Sequence, residues 1–359
     1  MKLGIGISAA VAVVAILTFA MLTLSGWDRP PVEAVQNGFR GLGLEQVYNP
    51  RDVRDQLDAN EVPEPIWPLE DVDMTTPTAG EIYENVEVLG HLPDDQFNRL
   101  MSALTEWVVG DAADCAYCHD TADFADGSMY TYQVSRKMLE MTQYLNSEWA
   151  ENHVYPDDEA SGVTCYTCHR GEPVPPAIWF EDTRPATGMV GNFTGQNTPS
   201  EPAALSSLPF DPYTPFLEKD QDIRVHTLTA LPSGNESTIQ QTEQTYSLMM
   251  HMSTSLDVNC TYCHNSQAFY EWDQVPEQRA IAWYGIRMVR ELNNDWLVPL
   301  RDLYPENRLG PNGDAPKANC TTCHYNVYKP FFGENVVGPY PSLMEPGPTQ
   351  AEEAKLLVE

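Results

Sequence analysis

The chain has 359 residues, enough for about two ordinary domains, and its 52 acidic against 20 basic residues give a formal net charge of −32. Such a surface repels nucleic acid and anionic lipid headgroups; it favours a basic protein partner, or solubility in salty surroundings. Eight cysteines in this length are too sparse for the disulfide-stapled class of small secreted domains.

After Lys2, residues 3–26 are uncharged and largely apolar, long enough to cross a bilayer as a helix. The run exceeds the apolar centre of a secretory signal and ends without an A-x-A-like cleavage site, so an uncleaved anchor is expected. With or without cleavage, the remainder is expected to be exported. Leu24-Ser25-Gly26 reads like the start of a lipoprotein cleavage box, but Trp27 stands where the lipid-bearing cysteine belongs, and a tryptophan there suits the bilayer interface. Residues 27–95 are rich in Pro, Asp and Glu, and Pro63, Pro65, Pro68 and Pro77 exclude long helices between them. An irregular segment wrapping over the body is expected. Residues 94–109 turn helical, with Phe97, Leu100, Met101, Leu104, Trp107 and Val108 on one face. Residues 133–149 predict a second helix through Val134, Met138, Met141, Tyr144, Leu145 and Trp149. Residues 171–235 are loop-rich, and residues 240–256 and 276–300 predict the matching helices of a second half.

All eight cysteines fall in four copies of C-x-x-C-H: Cys115/Cys118/His119, Cys165/Cys168/His169, Cys260/Cys263/His264 and Cys320/Cys323/His324. This is the attachment sequence of c-type haem. Two thiols three positions apart each add to one vinyl group of a porphyrin, and the next residue places an imidazole under the iron. A zinc knuckle needs no histidine directly after each pair, and a thioredoxin-like redox site does not recur four times. Covalent attachment occurs on the outer side of the bacterial inner membrane, in agreement with the apolar N-terminus. Each half runs helix, motif, helix, motif, and Lys137-Met138-Leu139-Glu140-Met141 echoes Arg287-Met288-Val289-Arg290-Glu291.

The fold expected is mainly α with much irregular coil: a multihaem cytochrome c built from two pseudo-symmetric haem pairs, plus an N-terminal transmembrane helix. Its units are 1–26 (anchor or signal), 27–95 (irregular), 96–180 (first haem pair), 181–235 (connection), 236–335 (second haem pair) and 336–359 (C-terminal tail). Four porphyrins supply much of the apolar core.

A six-coordinate haem needs a distal ligand; methionine raises its potential and a second histidine lowers it. Outside the motifs stand His91, His153, His226 and His251. Met101 and Met249 precede the first and third motifs in parallel positions, and Met138 and Met288 precede the second and fourth. Met250 and Met252 rival Met249, Met141 rivals Met138, and any of these side chains also suits ordinary core packing.

The blocks Met101-Ser-Ala-Leu-Thr-Glu-Trp107, Arg136-Lys-Met-Leu-Glu-Met141, Gly162-Val-Thr-Cys-Tyr-Thr-Cys-His-Arg-Gly171, Leu248-Met-Met250 and Arg279-Ala-Ile-Ala-Trp-Tyr-Gly-Ile-Arg-Met-Val-Arg290 resemble the tetrahaem cytochrome subunit of purple-bacterial photosynthetic reaction centres. The resemblance covers roughly residues 80–335 in order. It implies three His/Met haems and one bis-histidine haem. By position, Met101 serves the haem at Cys115 and Cys118, Met138 that at Cys165 and Cys168, and Met249 that at Cys260 and Cys263. His153 reaches across to the haem at Cys320 and Cys323, which leaves Met288 in the core. Residues 155–160 look like an insertion, an extra residue stands between Met101 and Cys115, and the lipidated cysteine of many members is missing.

The resemblance implies a periplasmic electron carrier with alternating haem potentials. It takes electrons from a soluble donor, a basic c-type cytochrome or a high-potential iron–sulfur protein. It passes them to the photo-oxidised bacteriochlorophyll pair held by the reaction-centre core subunits. No catalytic acid, base or nucleophile is expected. Asp111, Asp114, Asp120, Asp123 and Asp126 crowd the first motif, as a docking patch for a basic donor or as a solvated loop. The alternatives are a membrane-anchored multihaem quinol dehydrogenase and a multihaem reductase, the latter requiring an iron with an open position.

Overall fold

The computed structural model describes residues 2–24, 33–36, 45–48, 50–110, 114–154, 161–182, 199–226 and 237–344. In chain order these form α1 (Lys2–Leu24), the antiparallel pair β1 (Glu33–Gln36) and β2 (Glu45–Tyr48), α2 (Pro50–Ala59), α3 (Ala79–Ile82), α4 (Asp94–Val109), α5 (Tyr130–Glu148) and α6 (Cys165–His169). The second half supplies α7 (Ile239–Leu256), α8 (Gln278–Glu291) and α9 (Cys320–His324). A short antiparallel pair, β3 (Ile178–Trp179) with β4 (Lys317–Ala318), ties the halves together. The segment expected to be irregular thus carries a strand pair and α2, in the stretch before its first proline cluster.

Backbone helix runs through the whole apolar N-terminus, from Lys2 to Leu24. Among the described residues no helix is long and apolar enough to cross a membrane. Trp27 lies outside the described residues.

Helix α4 has the bounds its periodicity predicts, and α5 and α7 lie close to theirs. The expected helix over 276–300 does not persist. Regular α-helix ends at Glu291, a π turn covers Leu292–Leu297, and a 3-10 turn covers Val298–Leu303. Pro299 has no N–H to offer an α-helical bond, so the last turns must rewind. The helix α5 is likewise followed by a π turn, Ala150–Val154, which carries His153.

Two apolar clusters organise the body. One joins α5, α7 and α8 across the halves through Leu145, Phe216, Leu217, Leu248, Ile286, Met288, Val289 and Leu292. The other packs α4 and α5 against residues 337–343 through Leu100, Ala103, Trp107, Leu139, Val337, Tyr340 and Leu343. The stretch 336–344, expected as part of a tail, is therefore core. Tyr340 meets Trp107 edge-on at 4.6 Å, and the buried Gln143 donates to the Ser342 carbonyl at 2.9 Å. Fully buried Arg99 bridges the Trp67 and Pro339 carbonyls, both at 2.7 Å.

The repeat is written most clearly in two buried asparagines. Asn146 donates to the Val163 and Leu343 carbonyls, both at 2.8 Å, and accepts from the Val163 N–H at 2.8 Å. Asn293 donates to the Leu217 and Ala318 carbonyls at 2.8 and 3.0 Å and accepts from the Ala318 N–H at 2.8 Å. Val163 and Ala318 each lie two residues before the first cysteine of a motif, so both asparagines hold the chain that leads into an attachment site. Replacing Asn146 or Asn293 by Ala strands buried carbonyls and one N–H. Each substitution is expected to cost about 2–4 kcal/mol, read as a lowered guanidinium midpoint by far-UV circular dichroism.

Candidate haem centres

The four motifs fall into two local structures that alternate along the chain. The first and third are 3-10 turns, Cys115–Tyr117 and Cys260–Tyr262, started by Asp114 and Asn259 accepting from the N–H two residues on. The second and fourth are single α turns, α6 and α9, opened by capping boxes at Thr164 and Asn319. Both end on a left-handed residue, Arg170 (φ 52°) and Tyr325 (φ 51°). Gly110 closes α4 at φ 72°, where a Cβ would meet the Gly171 carbonyl at 2.6 Å. That contact sets α4 directly against the exit of α6.

Each motif histidine has its Nδ1 on a backbone carbonyl. His119 reaches Phe124 at 3.2 Å and His264 reaches Phe269 at 2.9 Å; the His264 ring also stacks on its phenylalanine, and the His119 ring lies tilted against Phe124. His169 reaches Glu172 at 2.9 Å and His324 reaches Val327 at 3.0 Å. A carbonyl only accepts, so Nδ1 carries the proton and Nε2 presents its lone pair. This is the tautomer and orientation expected of a metal-ligating histidine. Burial lowers the proton affinity of His169 and His264 and pushes His324 down to about 4, which keeps the rings neutral.

Among the other histidines, His153 alone shares this arrangement. Its Nδ1 lies 2.9 Å from the Ile281 carbonyl on α8, and its ring centroid is 6.1 Å from that of His324. Two neutral imidazoles this close could hold one metal between them. His251 instead faces the Tyr213 and Ser255 hydroxyls, His226 lies against Arg224 and stacks on Tyr270, and His91 is exposed.

The thioether candidates sort by register. In α4 the buried Arg99, Leu100, Ala103 and Trp107 match the buried Ser247, Leu248, His251 and Ser255 of α7. Met249 therefore occupies the place of Met101, and Met250 and Met252 do not. A cavity of about 1070 Å³ is lined by Met101, Cys115, Cys118, His119, Met138, Cys165, Cys168 and His169. It is also lined by Met141, the rival of Met138, so it brings the first two C-x-x-C-H motifs together with three thioethers. Its thiols, imidazoles and thioethers fit c-type haem. Met288 is 6% exposed in the inter-half core, away from this role.

The first and second motifs share the cavity, and the Cys168 and Cys323 sulfurs lie 3.3 Å apart, so the second motif adjoins the fourth. Ser255 on α7 meets Thr321 of the fourth motif at 2.7 Å, which joins the fourth to the helix that leads into the third. These contacts link the motifs in the order first, second, fourth, third.

Of the acidic cluster, Asp111 lies outside the described residues, as does the inserted stretch 155–160. Asp114, Asp120, Asp123 and Asp126 are mostly solvent-facing, and each accepts from a backbone N–H two residues on. They build the turns around the first motif as well as charging it.

Residues 28–344 match the family described as photosynthetic reaction centre cytochrome C subunit. A photosynthetic reaction center cytochrome c subunit from Rubrivivax gelatinosus is 47% identical over 335 residues, covering 92% of this chain and 88% of its own. One from Thermochromatium tepidum is 42% identical over 336 residues, covering 94% and 81%. One from Roseobacter denitrificans is 44% identical over 274 residues, covering 74% and 73%.

The histidine geometry makes a direct prediction. His153→Leu is expected to leave one ferrous haem five-coordinate and open to carbon monoxide, whereas His251→Leu leaves every haem six-coordinate. Carbon monoxide titration of the reduced protein, followed in the Soret band, separates the two outcomes.

Proposed function

The chain belongs to the photosynthetic reaction centre cytochrome c subunit family, and we propose that it relays electrons from a soluble carrier through four covalently held haems to the photo-oxidised bacteriochlorophyll pair. It is an electron-carrier subunit and not an enzyme. The observation that carries the four-site reading is the shared setting of five imidazoles, each with Nδ1 on a backbone carbonyl.

When bound, each haem supplies an iron that cycles between the ferric and ferrous states. The chain's own residues attach, ligate and space these groups. In the proposed assignment Cys115, Cys118, Cys165, Cys168, Cys260, Cys263, Cys320 and Cys323 form the thioethers. His119 with Met101, His169 with Met138, and His264 with Met249 are the axial pairs of three irons, and His324 with His153 those of the fourth. Methionine raises the potential and a second histidine lowers it, so in the order above a low-potential site stands between two higher ones. Each proposed iron has two protein donors, which disfavours a reductase, whose iron needs an open position.

Three further parts belong to the proposal. The helix α1 anchors the subunit on the periplasmic side of the photosynthetic membrane. The acidic turns beside the first motif receive a basic donor. The reaction-centre core lies at the far end of the series of sites.

Flash excitation of membranes holding active reaction centres is expected to oxidise the cytochrome on a sub-millisecond scale, and its absence would sink the reading. High-salt washing should leave the subunit in those membranes if α1 anchors it. Changing Asp114, Asp120, Asp123 and Asp126 together to Asn keeps the turn geometry and removes four charges. Re-reduction by a basic cytochrome is then expected to slow and to lose most of its salt dependence; an unchanged rate and salt slope would exclude this docking surface.

A further inference from the structure

The two halves can be superposed residue by residue through the sequence Leu145-Asn146-Ser-Glu-Trp149 and its counterpart Leu292-Asn293-Asn-Asp-Trp296. The asparagines make equivalent hydrogen bonds. The burial pattern runs in the same register, because Leu139, Thr142 and Leu145 on α5 are all buried, as are Ile286 and Val289 on α8 and Leu292 just after it. In this register Met141 pairs with Met288. Met138 pairs with Gly285, and His153 pairs with Leu300.

Gly285 is where the halves part. A Cβ built on it would stand 2.5 Å from Cε1 and 2.9 Å from Nδ1 of His153. The imidazole therefore occupies the space in which a side chain at position 285 would lie. It is held there by the Ile281 carbonyl one helical turn earlier, at 2.9 Å. The cross-packing is reciprocal. The turn Ala150–Val154, with His153, packs on α8, and the turn Val298–Leu303, with Leu300, packs on α5. Leu300 is buried, and Met138 lines the cavity of the first two sites.

We propose that the residue pair 285/153, set against its counterpart 138/300, decides whether a site is bis-histidine or His/Met. Glycine on the helix admits a histidine from the opposite half. Methionine on the helix reaches the site itself, and the crossing turn then carries an inert leucine. The inference rests on the four-haem reading above and adds a determinant to it that ligand assignment alone does not contain. Gly285 touches no iron; it is a positioning residue, acting through the space it leaves for His153.

The test is an exchange of pairs in the full-length holoprotein. Intact mass first establishes four haem additions, and the wild type should show three methionine–ferric charge-transfer equivalents and one bis-histidine electron paramagnetic resonance signal. Failure of either control counts against the four-haem reading, not against the determinant. Gly285→Met with His153→Leu is expected to raise the methionine charge-transfer intensity from three equivalents to four. It should also abolish the bis-histidine signal and move the lowest-potential wave upward. Gly285→Ala alone should displace the imidazole, giving one high-spin haem that binds carbon monoxide. Met138→Gly should open the second site, and added imidazole should restore a low-spin spectrum there. A Gly285→Ala protein that keeps its bis-histidine signal unaltered would overturn the proposal. So would a folded double variant whose fourth haem gains no methionine band. If the double variant does not accumulate, Gly285→Ala and Met138→Gly with imidazole decide the matter by the same signals.

Discussion

An imidazole offers one nitrogen to iron reliably only when the other nitrogen is held, because rotation of a free ring and exchange of its tautomer both compete with ligation. Here backbone carbonyls do the holding. In the first and third motifs the carbonyl comes from a phenylalanine five residues on, and in the second and fourth from a residue three positions on. These four are local, within five residues of each histidine. The fifth is not local, since the carbonyl that orients His153 is that of Ile281, in the other half. If His153 serves the site at Cys320 and Cys323, as proposed, that site is complete only once the halves have docked. Its ligation is therefore coupled to the inter-half cluster around Leu145, Leu248, Ile286 and Leu292.

That coupling gives the two asparagines their importance. Asn146 and Asn293 satisfy the backbone just ahead of the second and fourth motifs, and they do so from buried positions where water cannot substitute. Each also ties that stretch of backbone to a third segment, Asn146 to the chain's end at Leu343 and Asn293 to Leu217. An attachment turn is thus held against the helix that precedes it before any macrocycle is considered. The close approach of α6 and α9, marked by the Cys168–Cys323 contact, follows from anchoring the backbone ahead of both turns in the same way.

The sequence made much of this legible where chemistry or periodicity is short-range. C-x-x-C-H needs no tertiary context, and α4 carries enough apolar period to set both of its ends. Legibility failed where a residue acts through a distant partner. The segment 276–300 reads as one helix by its apolar spacing, yet Pro299 and the diverted Asn293 side chain break it after Glu291. Residues 336–344 read as part of a tail, but Val337, Tyr340 and Leu343 pack against α4 and α5. The internal echo was visible in the wrong register. Matching Met138 to Met288 follows the methionines, whereas Leu-Asn-x-acidic-Trp follows the residues that are structurally constrained. It sets Met138 opposite Gly285. Nothing about a glycine in a helix announces a ligand site until His153 is seen lying against it.

A single scaffold therefore supports both kinds of ligation without altering its frame. The elements that fix each attachment turn, namely the capping boxes, the left-handed ends and the buried asparagines, are common to the second and fourth sites. The elements that differ are a side chain on the helix and one on the crossing turn. Both pairs, Met138 with Leu300 and Gly285 with His153, combine one small or inert residue with one donor, so each leaves a packed interface. Potential is set mainly by the axial donor and its surroundings. Separating the donor from the frame lets neighbouring sites differ in potential while their spacing is held by the same backbone contacts. A relay built by internal duplication needs that separation, because duplication alone copies the spacing and the potentials together.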